Sequence, residues 1–324
     1  MPKEESEKLF DDLIGQETAV ELLKAAITKK RIAPAYLFAG PQGVGQCLAA
    51  QRFLEGLITG GSPSLRERVR LRKLNHPDLI WIEPTYLHQG NLIPKSLAQK
   101  EGIKKRNPPQ IRLEQIRSIQ RFLGKKPIET NLGMVVIEAV ETMNEAAANA
   151  LLKTLEEPGN GSLILISSRP EKLLPTIRSR CQKIPFSRLN YDNLKKVLSK
   201  TNFDQTNHFS FESASKEIIN LSNGSPGALI DNFQTWKEFP EDILIRIKTL
   251  PKSPVDALSL ARDVTETLDL EQQIWLINWL QQYIWAEDMN QELINQLETL
   301  RRYLLSFVQP RLAWEVTFLK SIRH

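Results

Sequence analysis

The sequence predicts an α/β domain built on a parallel sheet, followed by two all-helical domains. Residues 1–187 alternate helix-like and strand-like segments, a pattern typical of a parallel sheet with helices on both faces. A short apolar run at residues 35–39 ends in a glycine-rich loop, and strand signals stop after Phe186. We therefore expect an α/β domain over residues 1–187, a small helical domain over 188–239 and a C-terminal helical domain over 240–324.

Size and composition are those of a globular protein. With 324 residues, of which 41% are hydrophobic and 25% charged, the chain can bury a core in each domain. Its longest apolar stretch, at 274–285, is too short for a membrane span, and the charged N-terminus is unlike a signal peptide. Its two cysteines, Cys47 and Cys181, argue against a disulfide framework and are too few for a four-cysteine zinc site. We expect a cytoplasmic protein.

Four strands and three helices can be placed in the first domain. The strands are short apolar runs at residues 35–39, 79–83, 133–138 and 163–168. Apolar residues at helical spacing predict helices over 16–29, from about 45 to 58, and over 145–157, where Asn144 can cap the helix. The polar and basic segment 95–109 lacks such a pattern, and we expect an exposed loop there.

The rest of the chain has the patterns of helices. Asn190 can cap a helix that reaches about residue 200, and a second apolar helix is expected over 213–221. Ser225 and Pro226 suit the cap and first position of another helix. From residue 241 onward the pattern is helical, with breaks at 251–254, 269, 288 and 310. Four of the six tryptophans lie at 275–314, where they can form a bundle core or pack against another subunit.

The glycine-rich loop follows the pattern of a phosphate-binding loop, G-x-x-x-x-G-K-[ST], except at its last two positions. Gly40, Gly43 and Gly45 can let backbone N–H groups surround phosphates. Gln46 stands in the Lys position and carries no positive charge. Cys47 stands in the Ser/Thr position, and a thiol is a poor ligand for Mg²⁺, which prefers oxygen. We expect this loop to bind ATP or ADP weakly or not at all, and to hold no metal.

The strand at 133–138 ends in an acidic residue, as do the strands of ATPases that hold Mg²⁺. Glu138 could take that role, but Ala139 at the next position can neither orient nor deprotonate water. Glu141 falls at the expected strand-to-helix turn, and we interpret it as a solvated residue at the start of a helix. The pattern therefore predicts the fold of an ATPase without its chemistry.

Positive charge is concentrated between residues 60 and 130. This segment holds 15 Lys and Arg against 6 Asp and Glu, whereas the net charge of the whole chain is +5. The excess is compatible with a solvated insert, or with a surface that meets phosphate groups or an acidic partner. Charge alone does not decide between these interpretations.

Several stretches resemble bacterial clamp-loader subunits, the AAA+ ATPase-fold proteins of the DNA polymerase III holoenzyme. Two of them are specific, NALLKTLEEP at 149–158 and LLPTIRSRC at 173–181. The resemblance extends through the glycine loop to LIGQ at 13–16, HPDL at 76–79, GSPG at 224–227 and QPRLA at 309–313. It covers all three predicted domains, and it implies an AAA+ P-loop domain, a helical lid and a C-terminal collar through which subunits assemble.

Within this family the chain is more similar to delta-prime subunits than to gamma/tau motors. Motors keep the loop Lys and Thr, two acids after the strand and an Arg in the lid helix. Here the corresponding positions are Gln46, Cys47, Ala139 and a turn at 224–229 without Arg. Many delta-prime proteins carry a four-cysteine zinc module between the loop and the acidic strand. Because this chain has no cysteine in that region, we expect no zinc.

The resemblance assigns one functional side chain, Arg180. In the family, the Arg of Ser-Arg-Cys enters the ATP site of a neighbouring motor subunit, where it acts as an arginine finger. Ser179 and Cys181 beside it are interpreted as positioning residues. The implied function is that of a stator, which does not hydrolyse ATP and helps to load the sliding clamp onto primer–template DNA. The implied partners are the gamma/tau and delta subunits, and through them the clamp and DNA.

Two alternatives stay open from the sequence. The chain could be a gamma/tau-like active ATPase with an atypical P-loop. It could also be a stand-alone DNA-binding module that uses the basic segment, in which case binding without partners would be tight and strongly dependent on salt.

Overall fold

The computed structural model describes residues 8–88, 90–100, 108–200, 216–287, 290–306 and 308–322. The chain divides into two compact units, residues 1–200 and 201–324. The expected lid at 188–239 is thus shared between the two units, and the three-domain division stays a prediction.

The first unit is organised by a five-stranded parallel sheet. The strands described in the first unit, five in this sheet and two in a separate hairpin, are β1 Ala35–Ala39, β2 Leu79–Ile82, β3 Thr85–His88, β4 Asn91–Pro94, β5 Gly133–Ile137, β6 Gly161–Ser167 and β7 Gln182–Pro185. The parallel sheet has the order β2-β5-β6-β1-β7, so the chain crosses over repeatedly, as an α/β fold requires. The four predicted strands are confirmed, whereas β7 at the edge was not predicted.

Helices cover both faces of this sheet. The helices described in the first unit are α1 Glu17–Thr28, α2 Gln46–Thr59, α3 Leu65–Arg72, α4 Lys95–Lys100, α5 Leu113–Leu123, α6 Glu145–Glu156, α7 Pro175–Ser179 and α8 Tyr191–Lys200. Successive residues of β1 point to opposite faces: Tyr36 and Phe38 join the core beneath α1 and α2, and Leu37 joins the core beneath α5 and α6. The predicted α/β layer architecture is confirmed.

A β-hairpin and a short helix follow β2, and the helix replaces part of the expected loop. β3 and β4 form an antiparallel hairpin beside the main sheet, with Gly90 at a φ of 81° in its turn. α4 follows directly, and the Glu83 carboxylate accepts hydrogen bonds from the Ser96 N–H (3.1 Å) and hydroxyl (2.6 Å). The prediction of a loop from residue 95 is therefore wrong for 95–100, and residues 101–107 lie outside the described residues.

The described part of the second unit is helical. Its helices are α9 Lys216–Ser222, α10 Pro226–Glu238, α11 Glu241–Thr249, α12 Pro254–Thr267, α13 Leu270–Glu287, α14 Gln291–Leu305 and α15 Pro310–Ser321. The expected helix at 213–221 is confirmed as α9, except that 213–215 lie outside the described residues. Trp279 and Trp314 are fully buried in the bundle core, which Trp275 packs against, while Trp285 is 54% exposed. A core role is thus confirmed for three tryptophans.

The predicted helix caps are confirmed. The side chains of Asn144, Asn190 and Ser225 accept hydrogen bonds from backbone N–H groups three residues on, at 2.8–3.1 Å. None of the helices described is both apolar enough and long enough to cross a lipid bilayer.

Candidate functional site

The glycine loop lies between the end of β1 and the start of α2. Gly43 and Gly45 have φ angles of 78° and 109°, in the region that favours glycine. A methyl group on Gly40 would lie 2.3 Å from the Phe186 carbonyl oxygen, so the close contact between this loop and the end of β7 requires glycine. The backbone shape of a phosphate-binding loop is therefore present.

Gln46 uses its side chain to close the loop on itself. Its Nε2 donates a hydrogen bond of 2.7 Å to the carbonyl oxygen of Gly40, and the residue is only 4% exposed. A lysine here would extend its ammonium toward a phosphate. Gln46 instead satisfies a backbone group of the loop, and its polar end is committed to the protein.

Cys47 and Glu138 meet at the position where an ATPase would hold Mg²⁺. The Cys47 thiol is hydrogen-bonded to the Glu138 carboxyl, and burial raises the pKa of Cys47, with Glu138 adding to the shift. The indole Nε1 of Trp81, on the neighbouring strand β2, donates to Glu138 Oε1 at 2.6 Å. Burial raises the pKa of Glu138 and outweighs the hydrogen bond from Trp81, which lowers it. The thiol therefore stays protonated at neutral pH, and the carboxyl is already engaged.

The prediction for Glu141 is confirmed for its place in a short helix after β5 and wrong for its solvated side chain. This residue lies in a turn of 3₁₀ helix after β5, and its carboxylate accepts hydrogen bonds from the end of β6. Ser167 Oγ donates at 2.9 Å and the Ser168 N–H at 3.1 Å, and the Ser168 hydroxyl donates as well. Glu141 thus ties together the C-terminal ends of two neighbouring strands. Ala139, as expected from its side chain, offers no group to the site.

Gln16 is a buried polar residue whose role the sequence did not indicate. Its Nε2 donates to the carbonyl oxygens of Val44 (3.1 Å) and Ser187 (2.7 Å), and its Oε1 accepts from the Ser187 N–H at 3.0 Å. Gln16 therefore fixes the glycine loop to the segment after β7. No local sequence pattern could predict this contact, because Gln16 and Ser187 are 171 residues apart and meet only in the folded chain.

The side chains around the loop do not fit a magnesium–triphosphate complex. Gln46 supplies no charge and is bonded to the loop, Cys47 is a neutral thiol, and the half-buried Glu138 carboxyl accepts a hydrogen bond from Trp81. Mg²⁺ binds oxygen ligands in a strict octahedron and usually relies on carboxylates and phosphates. The glycine loop retains backbone N–H groups at a helix N-terminus, which favour anions in general.

Arg180 lies between α7 and β7, on the surface. Its Nη2 donates to Glu156 Oε1 at 2.8 Å, and its Nη1 donates to the Thr176 carbonyl oxygen at 3.1 Å. The Ser179 hydroxyl donates to the same carbonyl group at 3.1 Å. Cys181 packs partly buried against the core, and burial raises its pKa to about 12. Ser179 and Cys181 thus lie beside the guanidinium without presenting a reactive group.

The structure does not bring Arg180 and the glycine loop together. In the parallel pair β1–β7, Tyr36 is aligned with Gln182 and Ala39 with Pro185. The loop leaves the C-terminal end of β1, whereas Arg180 precedes the N-terminal end of β7. The aligned strand segment alone separates these ends by about 10 Å. Arg180 and the loop therefore lie at opposite ends of the parallel strands.

The part of the chain that the structure describes offers no cluster of metal ligands. No group of three or more His, Cys, Asp or Glu side chains that could hold a metal ion occurs there. The absence of zinc remains a prediction from the cysteine count.

Two family models together match most of the chain. A model described as "DNA polymerase III, delta subunit" matches residues 15–190, and one described as "Cyanobacterial DNA polymerase III delta prime, C-terminal domain" matches residues 192–321. The first covers the α/β unit from α1 to the residue before α8, and the second covers most of the helical region. Each half of the chain is thus related to a subunit of the same enzyme.

Curated relatives agree with these models. The chain is 34% identical to DNA polymerase III subunit delta' of Bacillus subtilis over 54% of this chain and 48% of that protein. It is 30% identical to DNA polymerase III subunit delta' of Pseudomonas aeruginosa over 71% of this chain and 65% of that protein. The matched region therefore spans about half to two thirds of these relatives.

A solved structure shares the overall fold. A DNA polymerase III gamma subunit-related protein from Thermotoga maritima superposes with a TM-score of 0.55 at 17% identity, covering 94% of this chain and 99% of that one. This similarity concerns the fold alone. The match over residues 15–190, which is more than half of the chain, carries the family assignment. The chain belongs to the family of DNA polymerase III delta and delta-prime subunits.

Proposed function

We propose that this chain is a non-hydrolysing stator of the clamp loader, which supplies Arg180 to the ATP site of a neighbouring subunit. The observation that carries the proposal is the arrangement of the sheet, in which Arg180 and the chain's own glycine loop lie at opposite ends of the parallel strands. In a ring of similar subunits, the strand end that carries Arg180 can face a neighbour's loop, while the strand end that carries the chain's own loop faces away from that neighbour. Arg180 is then available to a neighbour and not to its own loop.

The chemistry of the guanidinium suits this role. It is planar, stays charged at all physiological pH values and donates several hydrogen bonds in a fixed fork. Such a group stabilises charge that develops on a transferring phosphoryl group, and it typically raises the rate about 10³- to 10⁵-fold. Arg180 is 38% exposed at a side-chain level, so a neighbouring phosphate could reach it.

Glu156 holds Arg180 only loosely in the separate chain. Their ion pair is 2.8 Å long, but Glu156 is 52% exposed, and exposed pairs contribute about 0–1 kcal/mol. Exchanging this carboxylate for a phosphate on assembly would therefore require little free energy. Glu156 keeps the guanidinium oriented along α7 until that exchange.

The glycine loop has a structural role in this proposal. Its inward hydrogen bonds from Gln46 and Gln16 maintain the strand–loop–helix geometry without nucleotide. ATP or ADP binds weakly or not at all, and the chain alone has no ATPase activity. The partners are gamma/tau and delta subunits, with the sliding clamp and primer–template DNA reached through the complex, in the cytoplasm.

An omission experiment tests the proposal. The purified chain is incubated with ATP and primed DNA, alone and mixed with gamma/tau and delta subunits and the clamp. We expect no turnover by the chain alone, and DNA-dependent ATP hydrolysis with clamp loading only in the mixture that contains it. Turnover by the chain alone would support an active motor. Tight, salt-dependent DNA binding without partners would support a stand-alone DNA-binding module.

A further inference from the structure

The short helix α3 presents an outward face that is both aliphatic and cationic. Leu65 is 79% exposed and Val69 44% exposed, one helical turn apart on the same stripe. The flanking exposed side chains on this face are Arg66, Arg72 and Lys73. The opposite face is buried through Glu67 and Leu71. Large aliphatic side chains so exposed on a helix that is otherwise well anchored indicate a surface that something covers.

A neighbouring loop extends this face. The carboxylate of Glu129 accepts two hydrogen bonds from Arg70 of α3, at 2.8 and 2.9 Å, which places the loop against the helix. Ile128, the residue before it, is 79% exposed. Lys125 and Lys126 are exposed as well. We refer to these residues as the α3 surface: Leu65, Arg66, Val69, Arg72, Lys73, Lys125, Lys126 and Ile128.

The α3 surface is held rigidly from below. The buried carboxylate of Glu55 accepts from Arg68 Nε at 2.9 Å and from the Ser64 N–H at 2.6 Å, which fixes the start of α3 to α2. Asp78 accepts from the N–H groups of residues 128, 129 and 130 at 2.6–2.8 Å, which fixes the loop. A surface ordered in advance loses little conformational freedom when a partner binds.

A cavity of about 590 Å³ adjoins this loop. Its apolar wall includes Ile27, Leu57, Leu132 and Met134, and Glu129 belongs both to its rim and to the contact with α3. The cavity is therefore continuous with the α3 surface through Glu129. It is large and apolar enough to receive an aromatic or aliphatic side chain.

We propose that the α3 surface and the adjoining cavity dock a segment of another protein that carries carboxylates together with apolar side chains. Five exposed cations on this surface call for negative charge. Among the described residues, Arg72, Lys73, Lys125 and Lys126 form no ion pair, and Arg66 has only a 3.8 Å contact with Glu67. The aliphatic side chains decide between partners. Phosphate backbone would satisfy the cations and leave Leu65, Val69 and Ile128 uncovered, and nucleic-acid bases stack on aromatic rings, which this surface lacks.

Fluorescence anisotropy with a synthetic probe tests this proposal. The probe is a labelled 15-residue peptide with Glu and Leu at helical spacing and a terminal Phe, titrated with the full chain. We expect saturable binding that weakens at high salt. A peptide with Ala in place of every Leu and Phe should bind at least about fivefold more weakly, as expected when apolar anchor residues are removed.

Variants of the chain locate the binding. The double variant Ile128→Ser with Leu65→Ser should raise the Kd of the Glu/Leu peptide about fivefold or more. The single variant Lys73→Glu should raise it by a similar factor. All three residues are exposed, so the fold should be retained, and urea unfolding checks this. Val255→Ser, 76% exposed, and Lys252→Glu are the matched controls in the second unit and should leave the Kd unchanged.

Three results would overturn the proposal. These are no binding of the Glu/Leu peptide, equal binding of the Ala peptide, or a Kd that Ile128→Ser with Leu65→Ser does not change. A parallel titration with a 15-nucleotide single strand and a 15-base-pair duplex decides the other class of partner. Binding of either DNA more tightly than the peptide, lost in Lys73→Glu, would make this a nucleic-acid surface instead.

Discussion

Two glutamine side chains form hydrogen bonds with the backbone of the glycine loop. Gln46 takes the Gly40 carbonyl oxygen as its partner, and Gln16 takes that of Val44. In an active P-loop, Lys and Mg²⁺ ligands would instead face phosphates. These amide side chains supply the loop with neutral hydrogen bonds from inside the protein.

The first prediction concerns Gln46. Gln46→Ala leaves the partly buried Gly40 carbonyl without its donor and should lower the free energy of unfolding by about 1–3 kcal/mol. Gln46→Glu should be more destabilising, because a carboxylate would face the carbonyl oxygen. Urea unfolding measures both. Wild-type stability in both variants would show that the hydrogen bond does not maintain the loop.

The second prediction concerns Asp78, whose carboxylate accepts four hydrogen bonds from residues 128–130. Burial raises the pKa of Asp78, but these hydrogen bonds outweigh it, and the pKa lies below its ordinary value of 3.8. A lowered pKa means that this stabilisation is present above about pH 4 and is lost as the pH falls through the folded-state pKa. Asp78→Asn should therefore lower the free energy of unfolding by about 2–3 kcal/mol at neutral pH.

The pH dependence distinguishes the charge of Asp78 from its shape. Urea unfolding of wild type and Asp78→Asn at pH 7, 5 and 3 should give a difference that is constant from 7 to 5 and shrinks toward pH 3. A difference that stays the same at every pH would mean that the carboxylate charge contributes nothing.

At the scale of elements, the sequence predicted the strands that are apolar throughout and missed those that are not. β1, β5 and β6 are buried on both faces, so their sequences are continuous apolar runs. β7 has a single buried residue, Ile184, because it lies at the edge of the sheet. Its pairing depends on β1, a partner far away in the sequence, which no local pattern reveals.

The candidate site shows the same limit. The positions of Gly40, Gln46, Cys47 and Glu138 follow from motif spacing, and the structure brings these four residues together. Their hydrogen bonds could not be inferred, because Trp81 and Glu138 are 57 residues apart and meet only through the pairing of β2 with β5. The error at Glu141 has the same cause, since its partners lie at the end of β6.

The third prediction concerns the attachment of α3 to α2. Glu55 is fully buried and binds Arg52 and Arg68, and Arg52 also binds Asp12. Glu55→Ala leaves these buried or half-buried guanidinium groups with one carboxylate fewer, which should cost about 3–5 kcal/mol. Urea unfolding measures the loss, and hydrogen exchange should show faster exchange in α3.

An exposed ion pair provides the matched control for Glu55. Glu266 pairs with Arg262 at the surface of α12, and Glu266→Ala should change stability by less than about 1 kcal/mol. Equal effects of Glu55→Ala and Glu266→Ala, or unchanged exchange in α3, would contradict a role of the buried network in anchoring this helix.

At the scale of the whole molecule, the sheet separates two features that an ATP site requires. The glycine loop is at one end of the parallel strands, where the Gln46 side chain bonds to the protein. Arg180 is at the other end, where it is exposed. In the proposed clamp-loader assembly, this separation lets the chain contribute a cation to a neighbour without processing nucleotide itself. The family assignment and the position of Arg180 thus support the same function.

The rate of DNA-stimulated ATP hydrolysis by the reconstituted clamp loader, with Arg180→Ala in place of the wild-type chain, tests this claim most directly. We expect hydrolysis at the adjoining site to fall about 10³-fold or more while the complex still assembles. Arg178→Ala, an exposed arginine two residues away, is the matched control and should retain the wild-type rate. The account would be contradicted if an intact complex containing the Arg180→Ala chain hydrolysed ATP as fast at every site as the complex containing the wild-type chain.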